Sequence, residues 1–117
     1  MTTENKTKII AALNDECRQH LGRPPCPEYR IMVTGGVKFE FTPKQKAELF
    51  AKVREFDSFT EGNNPYGERD FGAFAHYGRN IFWKIDYYGP NLKTHTEDPA
   101  DRSKTVRVLT VMLAEEY

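Results

Sequence analysis

Phe71-Gly72-Ala73-Phe74-Ala75-His76-Tyr77-Gly78-Arg79-Asn80-Ile81-Phe82-Trp83-Lys84-Ile85-Asp86-Tyr87-Tyr88 is the stretch on which the fold turns. From residue 81 onward, Ile81, Trp83, Ile85 and Tyr87 alternate with Phe82, Lys84, Asp86 and Tyr88. That is the two-residue period of a β-strand, whose successive side chains point to opposite faces. Aromatic residues on both sides predict a strand near the centre of a sheet, with its second face partly covered. Gly78-Arg79-Asn80 is the expected reversal, joining residues 71–77 to this strand as an antiparallel hairpin. The clean alternation assigns Trp83 to the core.

Upstream, the same reasoning gives a second hairpin. Tyr29, Ile31 and Val33 alternate, as do Val37, Phe39 and Phe41, and Gly35-Gly36 between them supplies the positive φ values of a tight turn. Ahead of it, Ile9, Ile10, Leu13, Cys17 and Leu21 recur at three- and four-residue spacing, which predicts a helix over residues 5–21 stopped by Gly22, Pro24, Pro25 and Pro27. A further helix start is clear at Thr42, which caps, with Pro43 at the first helical position and Gln45 completing a capping box. Leu49, Val53 and Phe56 form its buried stripe, and its end is expected near Phe59.

Two connections are polar and broken by glycine and proline: residues 60–70, TEGNNPYGERD, and residues 89–97, GPNLKTHTE. After them Asp98, Pro99 and Asp101 repeat the logic of a helix start. The closing residues 103–116 are ambiguous, since their β-branched members suit a strand. Val106, Leu109, Met112, Leu113 and Tyr117 fit helical spacing, and a helix is the favoured reading. The expectation is one α+β domain over residues 1–117 in the order α-β-β-α-β-β-α. Its two hairpins would form a four-stranded antiparallel sheet packed against three helices, burying Leu49, Val53, Ile85 and Leu109.

Bulk properties narrow the function classes. With 117 residues, 38% apolar and 13% aromatic, the chain has enough apolar surface to fold alone. Seventeen basic residues balance 17 acidic ones, so the whole molecule has no attraction for phosphate backbones or anionic lipid. The basic residues are dispersed or alternate with acids, which argues against a nucleic-acid groove. No stretch is long and apolar enough to span a membrane, and the polar start lacks a signal-peptide core, so the cytoplasm is the default expectation. Cys17 and Cys26 form no metal or redox motif and read as a buried or incidental pair of thiols. No cofactor is indicated.

Four blocks taken together carry a family resemblance: Gly62-Asn63-Asn64-Pro65-Tyr66-Gly67-Glu68-Arg69-Asp70-Phe71-Gly72, Phe82-Trp83-Lys84-Ile85-Asp86-Tyr87-Tyr88, Glu97-Asp98-Pro99-Ala100-Asp101, and Arg107-Val108-Leu109-Thr110-Val111-Met112-Leu113-Ala114-Glu115-Glu116-Tyr117. In this order they resemble a family of small bacterial proteins of unknown function, over roughly residues 10–117. The family resembled is common in proteobacteria and on mobile elements, which implies an accessory or host-interaction role. Inhibition of a bacterial defence complex, such as a CRISPR effector, is one concrete form. Members more often carry histidine where this chain has Tyr66 and Arg69, and that departure weakens a histidine-based metal or catalytic role here.

Glu68, Asp70 and Asp86 are the strongest acidic group, because a loop carboxylate can meet one on a neighbouring strand and hold Mg²⁺, with His76 or His95 as base or ligand. Their spacing matches no metal motif, and loop pinning, with Arg69 or Arg107 forking onto Glu68 or Asp70, is the stronger expectation for these carboxylates. The favoured function is a non-enzymatic protein-binding module that occludes a partner's working surface with its two polar loops. Its expected binding residues are Tyr66, Glu68, Arg69, Asp70, Tyr88, Lys93 and His95. The alternatives are a small metal-dependent hydrolase using Glu68, Asp70, Asp86, His76 and His95, and a nucleic-acid-binding accessory protein.

Overall fold

The computed structural model describes residues 2–24 and 26–117; Met1 and Pro25, the latter among the residues expected to stop the first helix, lie outside them. The elements in chain order are α1 (Thr3–Gln19), β1 (Tyr29–Val33), α2 (Gly35–Glu40), α3 (Pro43–Arg54), β2 (Phe71–His76), β3 (Arg79–Tyr88) and β4 (Val106–Leu113). Short 3₁₀ turns at Arg102–Lys104 and Ala114–Glu116 flank β4. The sheet order is β1-β4-β3-β2, so β3 is an interior strand, as its two-sided aromatic content requires. Ile81, Trp83 and Ile85 are buried on one face, while Phe82, Lys84, Asp86 and Tyr88 on the other are half-buried. The β2–β3 hairpin closes one residue earlier than the glycine suggests. Tyr77 (φ 47°) and Gly78 (φ 77°) form the two-residue turn, and Arg79 and Asn80 already pair with His76 and Ala75.

The sheet is mixed, which corrects the expected all-antiparallel arrangement. β4 pairs antiparallel with β3 and parallel with β1. The C-terminal segment is therefore a strand and not a helix. Its residues are buried on both faces, with Arg107, Leu109, Val111 and Leu113 toward the helices and Val106, Val108 and Met112 away from them. A strand covered on both sides reads as one apolar run, and helical spacing can be picked out of any such run. The β-branched Val106, Val108, Thr110 and Val111 then decide for extended backbone. The capping chemistry expected of Asp98 and Asp101 is present but closes tight turns. Asp98 accepts from the Ala100 N–H at 3.1 Å and Asp101 from the Ser103 N–H at 2.9 Å, and no α-helix follows.

Val37-Phe39-Phe41 is likewise not a strand. Residues i and i+4 share a side in both a helix and a strand, and only i+2 distinguishes them. Val37 and Phe41 are buried whereas Phe39 is 92% exposed, which is the helical result, and Gly35-Gly36 begins α2 instead of turning a hairpin. The backbone leaves β1 through Thr34, whose N–H donates to Val111 O at 3.1 Å.

α3 starts as its sequence dictates, with Thr42 and Gln45 closing a reciprocal capping box at 3.1 and 3.0 Å. It ends at Arg54, earlier than expected, and Phe56 and Phe59 enter the core from the following segment. Leu49 and Val53 of α3, Cys17 and Leu21 from α1 and its exit, and Val37 of α2 pack on Trp83, Ile85, Leu109 and Val111. The helices thus cover one sheet face. By alternation the opposite face carries Phe71, Ala73, Ala75, Phe82, Lys84, Asp86, Tyr88, Met32 and Val108. No helix among the described residues is long and apolar enough to cross a membrane.

Candidate functional site

The loop at residues 60–70 is pinned to α1 and β3 by a buried polar network. Asn14, fully buried on α1, donates from Nδ2 to Glu68 O at 2.9 Å and to Tyr87 Oη at 2.7 Å. The Tyr87 hydroxyl donates in turn to Glu68 Oε1 at 2.7 Å. Asn14 Oδ1 accepts from Arg107 Nε at 2.8 Å, and Arg107 Nη2 donates to Pro99 O. Arg107 is 1% exposed and has no carboxylate at ion-pair distance among the described residues. Its charge rests on these two oxygens and on the Tyr87 ring, 5.2 Å away. Burial lowers the Arg107 pKa, and burial together with the Glu68 carboxylate raises that of Tyr87, so the phenol stays a neutral donor at physiological pH.

A second anchor is Arg69, held at φ 57°. Its N–H donates to Asn64 Oδ1 at 2.8 Å, its guanidinium lies 4.4 Å from the Phe59 ring centroid, and Nη1 stands 3.4 Å from Asp15 Oδ2. The expected forks of Arg69 or Arg107 onto Glu68 or Asp70 are not formed: Arg69 takes Asp15, and Glu68 takes a phenol.

Four of the sequence-predicted residues come together. Asp70, Asp86, Tyr88 and His95 line one cleft of about 340 Å³ with Ile85 and Tyr87, where the two polar loops meet. Asp70 has its pKa raised by burial and by the like charges of Glu68 and Asp86, while Asp86 is paired with Lys84 at 2.9 Å. His95 Nδ1 lies 2.8 Å from Thr96 O. His76 lies at the other end of β2, 1% exposed, with Nε2 at 2.8 Å from Gln45 O and its ring against Phe41 and Tyr77. Tyr66 is 80% exposed in the loop, and Lys93 is exposed at the tip of the other. Among the described residues no group of three or more His, Cys, Asp or Glu side chains is gathered closely enough to hold a metal ion.

Tyr88 also lines a larger cleft, of about 650 Å³, that the sequence did not disclose. It runs around the free edge of β1 onto the open sheet face. Met32, Leu92, Val108 and Tyr88 give it an apolar surface, and His20, Arg23 and Arg30 give it basic groups. No acidic one among the described residues lines it. Among the described residues neither Arg23 nor Arg30 has a carboxylate partner. The signal for it was absent from the chain because its walls come from five separate segments.

The model of a family described as a protein of unknown function, DUF3768, matches residues 33–116. The chain belongs to that family. The DUF3768 match opens at the last residue of β1 and runs through β4, so it is narrower at its start than the resemblance suggested. It contains both polar loops, Tyr87, Tyr88 and Arg107, whereas Asn14, Arg23 and Arg30 lie before it. One of the four members of the buried network, Asn14, and the basic rim of the larger cleft therefore come from residues that precede the DUF3768 region. No curated protein and no solved structure matches the chain.

Proposed function

We propose that the protein is a non-enzymatic protein-binding module that receives an acidic, apolar-tipped segment of another protein in the cleft across β1, β4 and the end of β3. The observation that carries this reading is the lining of the cleft: Met32 (58% exposed), Leu92 (42% exposed) and Tyr88 beside two arginines that have no carboxylate partner among the described residues. Clustered apolar surface rimmed by polar groups is favourable to cover. A guanidinium without a local counter-ion is suited to a carboxylate held in its two-pronged geometry. The adjoining cleft at Asp70 and His95 extends the same surface, with Tyr88 shared between them. Obstruction of a bacterial defence complex, such as a CRISPR effector, is one instance of this reading, and it rests on the setting of the family that the sequence resembles.

A displayed random-peptide library tests it. The wild-type protein is expected to enrich peptides combining Asp or Glu with Phe, Leu or Trp. The Arg23→Glu/Arg30→Glu double variant should bind those peptides at least about tenfold more weakly, the loss of roughly 1.4 kcal/mol, and should enrich Lys- and Arg-containing peptides instead. Enrichment of no acidic class by the wild type, or an unchanged selection by the variant, removes the proposal.

A further inference from the structure

The outer edge of β2 has its own chemistry, on the opposite side of the sheet from the cleft. Ile85 N–H donates to Asp70 O at 2.8 Å, which fixes the ladder: even-numbered residues of β2 turn their backbone groups to β3, and Phe71, Ala73 and Ala75 turn theirs outward. Of these outward groups Ala75 O meets Lys52 Nζ at a long 3.4 Å. Ala73 and Ala75 are exposed. Natural sheets protect such an edge with a lysine, a proline or a bulge. Phe71-Gly72-Ala73-Phe74-Ala75 carries none of these in its own sequence, its register with β3 is unbroken, and Lys52 of α3 reaches only the Ala75 end. β1, at the other edge, carries Arg30.

We propose that this edge pairs two copies of the chain, their β2 strands running antiparallel about a two-fold axis at Ala73. Reversing the strand on itself about that residue sets Phe71 opposite Ala75 of the second copy on the open face, and Gly72 opposite Phe74 on the helix face. Each large side chain then meets a small one, and three exchanged residue pairs satisfy the outward N–H and C=O groups. Asp70 comes opposite His76. A cleft of about 360 Å³ beside the edge, lined by Ala73, Phe74 and Ala75 on one side and by Lys52, Glu55 and Asp57 among others on the other, leaves room for the incoming strand. On the open face Phe71, Phe82 and Tyr117 pack edge to face at 5.1 to 6.3 Å, and the seam extends this aromatic surface. A second copy fits better than a foreign strand: residues 71–75 offer no charged or hydrogen-bonding side chain to select another sequence, and their large-small order complements its own reversal. A net charge of zero leaves no long-range repulsion between copies. The cleft at β1 stays free in such a dimer, so the two proposals stand or fall separately.

Sedimentation velocity from about 1 µM to about 1 mM should show a monomer giving way to a dimer. Over the same range the amides of Phe71, Ala73 and Ala75 should become protected from hydrogen exchange. Ala73→Lys places two ammonium groups at the two-fold axis and should weaken the dimer by about 100-fold or more, and Ala75→Lys, one pair away, should act alike. Both side chains lie on the open face, so the circular dichroism of the monomer should not change. Arg30→Glu at the opposite edge should leave the dimer intact. A wild type that stays monomeric throughout, a dimer indifferent to both lysines, or three amides exchanging at one rate at every concentration overturns the proposal.

Discussion

At the scale of single residues, Trp83 and Gly72 show what the sequence disclosed and what it withheld. Trp83 was legible as core from its strand's alternation, and it is fully buried, edge-on to Phe56 at 5.5 Å and Phe59 at 6.1 Å, with the Arg18 guanidinium 5.2 Å from its ring. Gly72 was not legible, because its role depends on the cross-strand register that puts it opposite Trp83. A Cβ at residue 72 would lie 2.6 Å from Trp83 Cε2 and 2.8 Å from Cζ2, so glycine is there for space and not for backbone freedom. Gly72→Ala should destabilise the protein by about 1–3 kcal/mol, the usual cost of overpacking a filled core. Gly35→Ala, whose added methyl meets nothing within 4 Å, should stay within about 0.5 kcal/mol. Urea denaturation of both variants measures the difference, and equal midpoints would show that the indole is not confined as described. Cys17 is a quieter case: burial pushes its thiol up to about 12, consistent with the packing role its helical position implied.

At the scale of elements, the errors have a common physical origin. The residues of α2 and β4 satisfy two periods at once. Val37 and Phe41 suit either element, and β4 is apolar on both faces, so local pattern could not choose and tertiary contact did. The capped helix α3 and the β2–β3 hairpin were legible because each carries local signals that agree, a capping box in one and a strict alternation with a turn glycine in the other. A carboxylate from the far end of the chain joins the buried Val37 and Phe41 in holding α2. Glu116 accepts from Thr34 Oγ1 at 2.7 Å, the Leu113 N–H at 2.9 Å and the Gly36 N–H at 3.2 Å. These bonds, the Thr34 hydroxyl's first, lower its pKa below the ordinary value of 4.5. A depressed carboxylate stabilises the folded state above its unfolded pKa and loses that contribution as pH falls through the folded value. Glu116→Gln should therefore lower the melting temperature at about pH 7, and the gap should narrow as the pH falls towards about 3. Because the carboxylate is exposed, the gap should be small and should shrink with salt. A gap of the same size at both pH values would mean that charge is not what Glu116 contributes.

At the scale of the whole molecule, the α+β class followed from the balance of helical and alternating segments, but the strand order did not. β1 and β4 come from distant parts of the chain and pair in parallel, and no turn signal announces such a pairing. The candidate surface was half legible for the same reason: Asp70, Asp86, Tyr88 and His95 could be named one by one, whereas the basic rim arises only when α1's exit is laid beside β1. That placement depends on Asn14, through which α1 reaches Glu68, Tyr87 and Arg107. Asn14→Leu keeps the size of the side chain but strands Arg107 Nε inside the protein and takes the donor from the half-buried Glu68 O. It should cost about 3 kcal/mol, since an unsatisfied buried group costs roughly 1–3 kcal/mol and a charged one more. Tyr87→Phe removes one hydroxyl and should cost about 1 kcal/mol, leaving Asn14 its bond to Glu68 O. If the four residues act as one clamp, the double variant should fall short of the summed losses by about 0.5 kcal/mol or more, as groups in a shared network do. Hydrogen exchange in Asn14→Leu should then quicken through residues 60–70 before it quickens in β3 or β4. Strict additivity, with exchange rising evenly across the sheet, would instead place the joint between α1 and the DUF3768 region in the apolar contacts of Leu13, Cys17 and Leu21 alone.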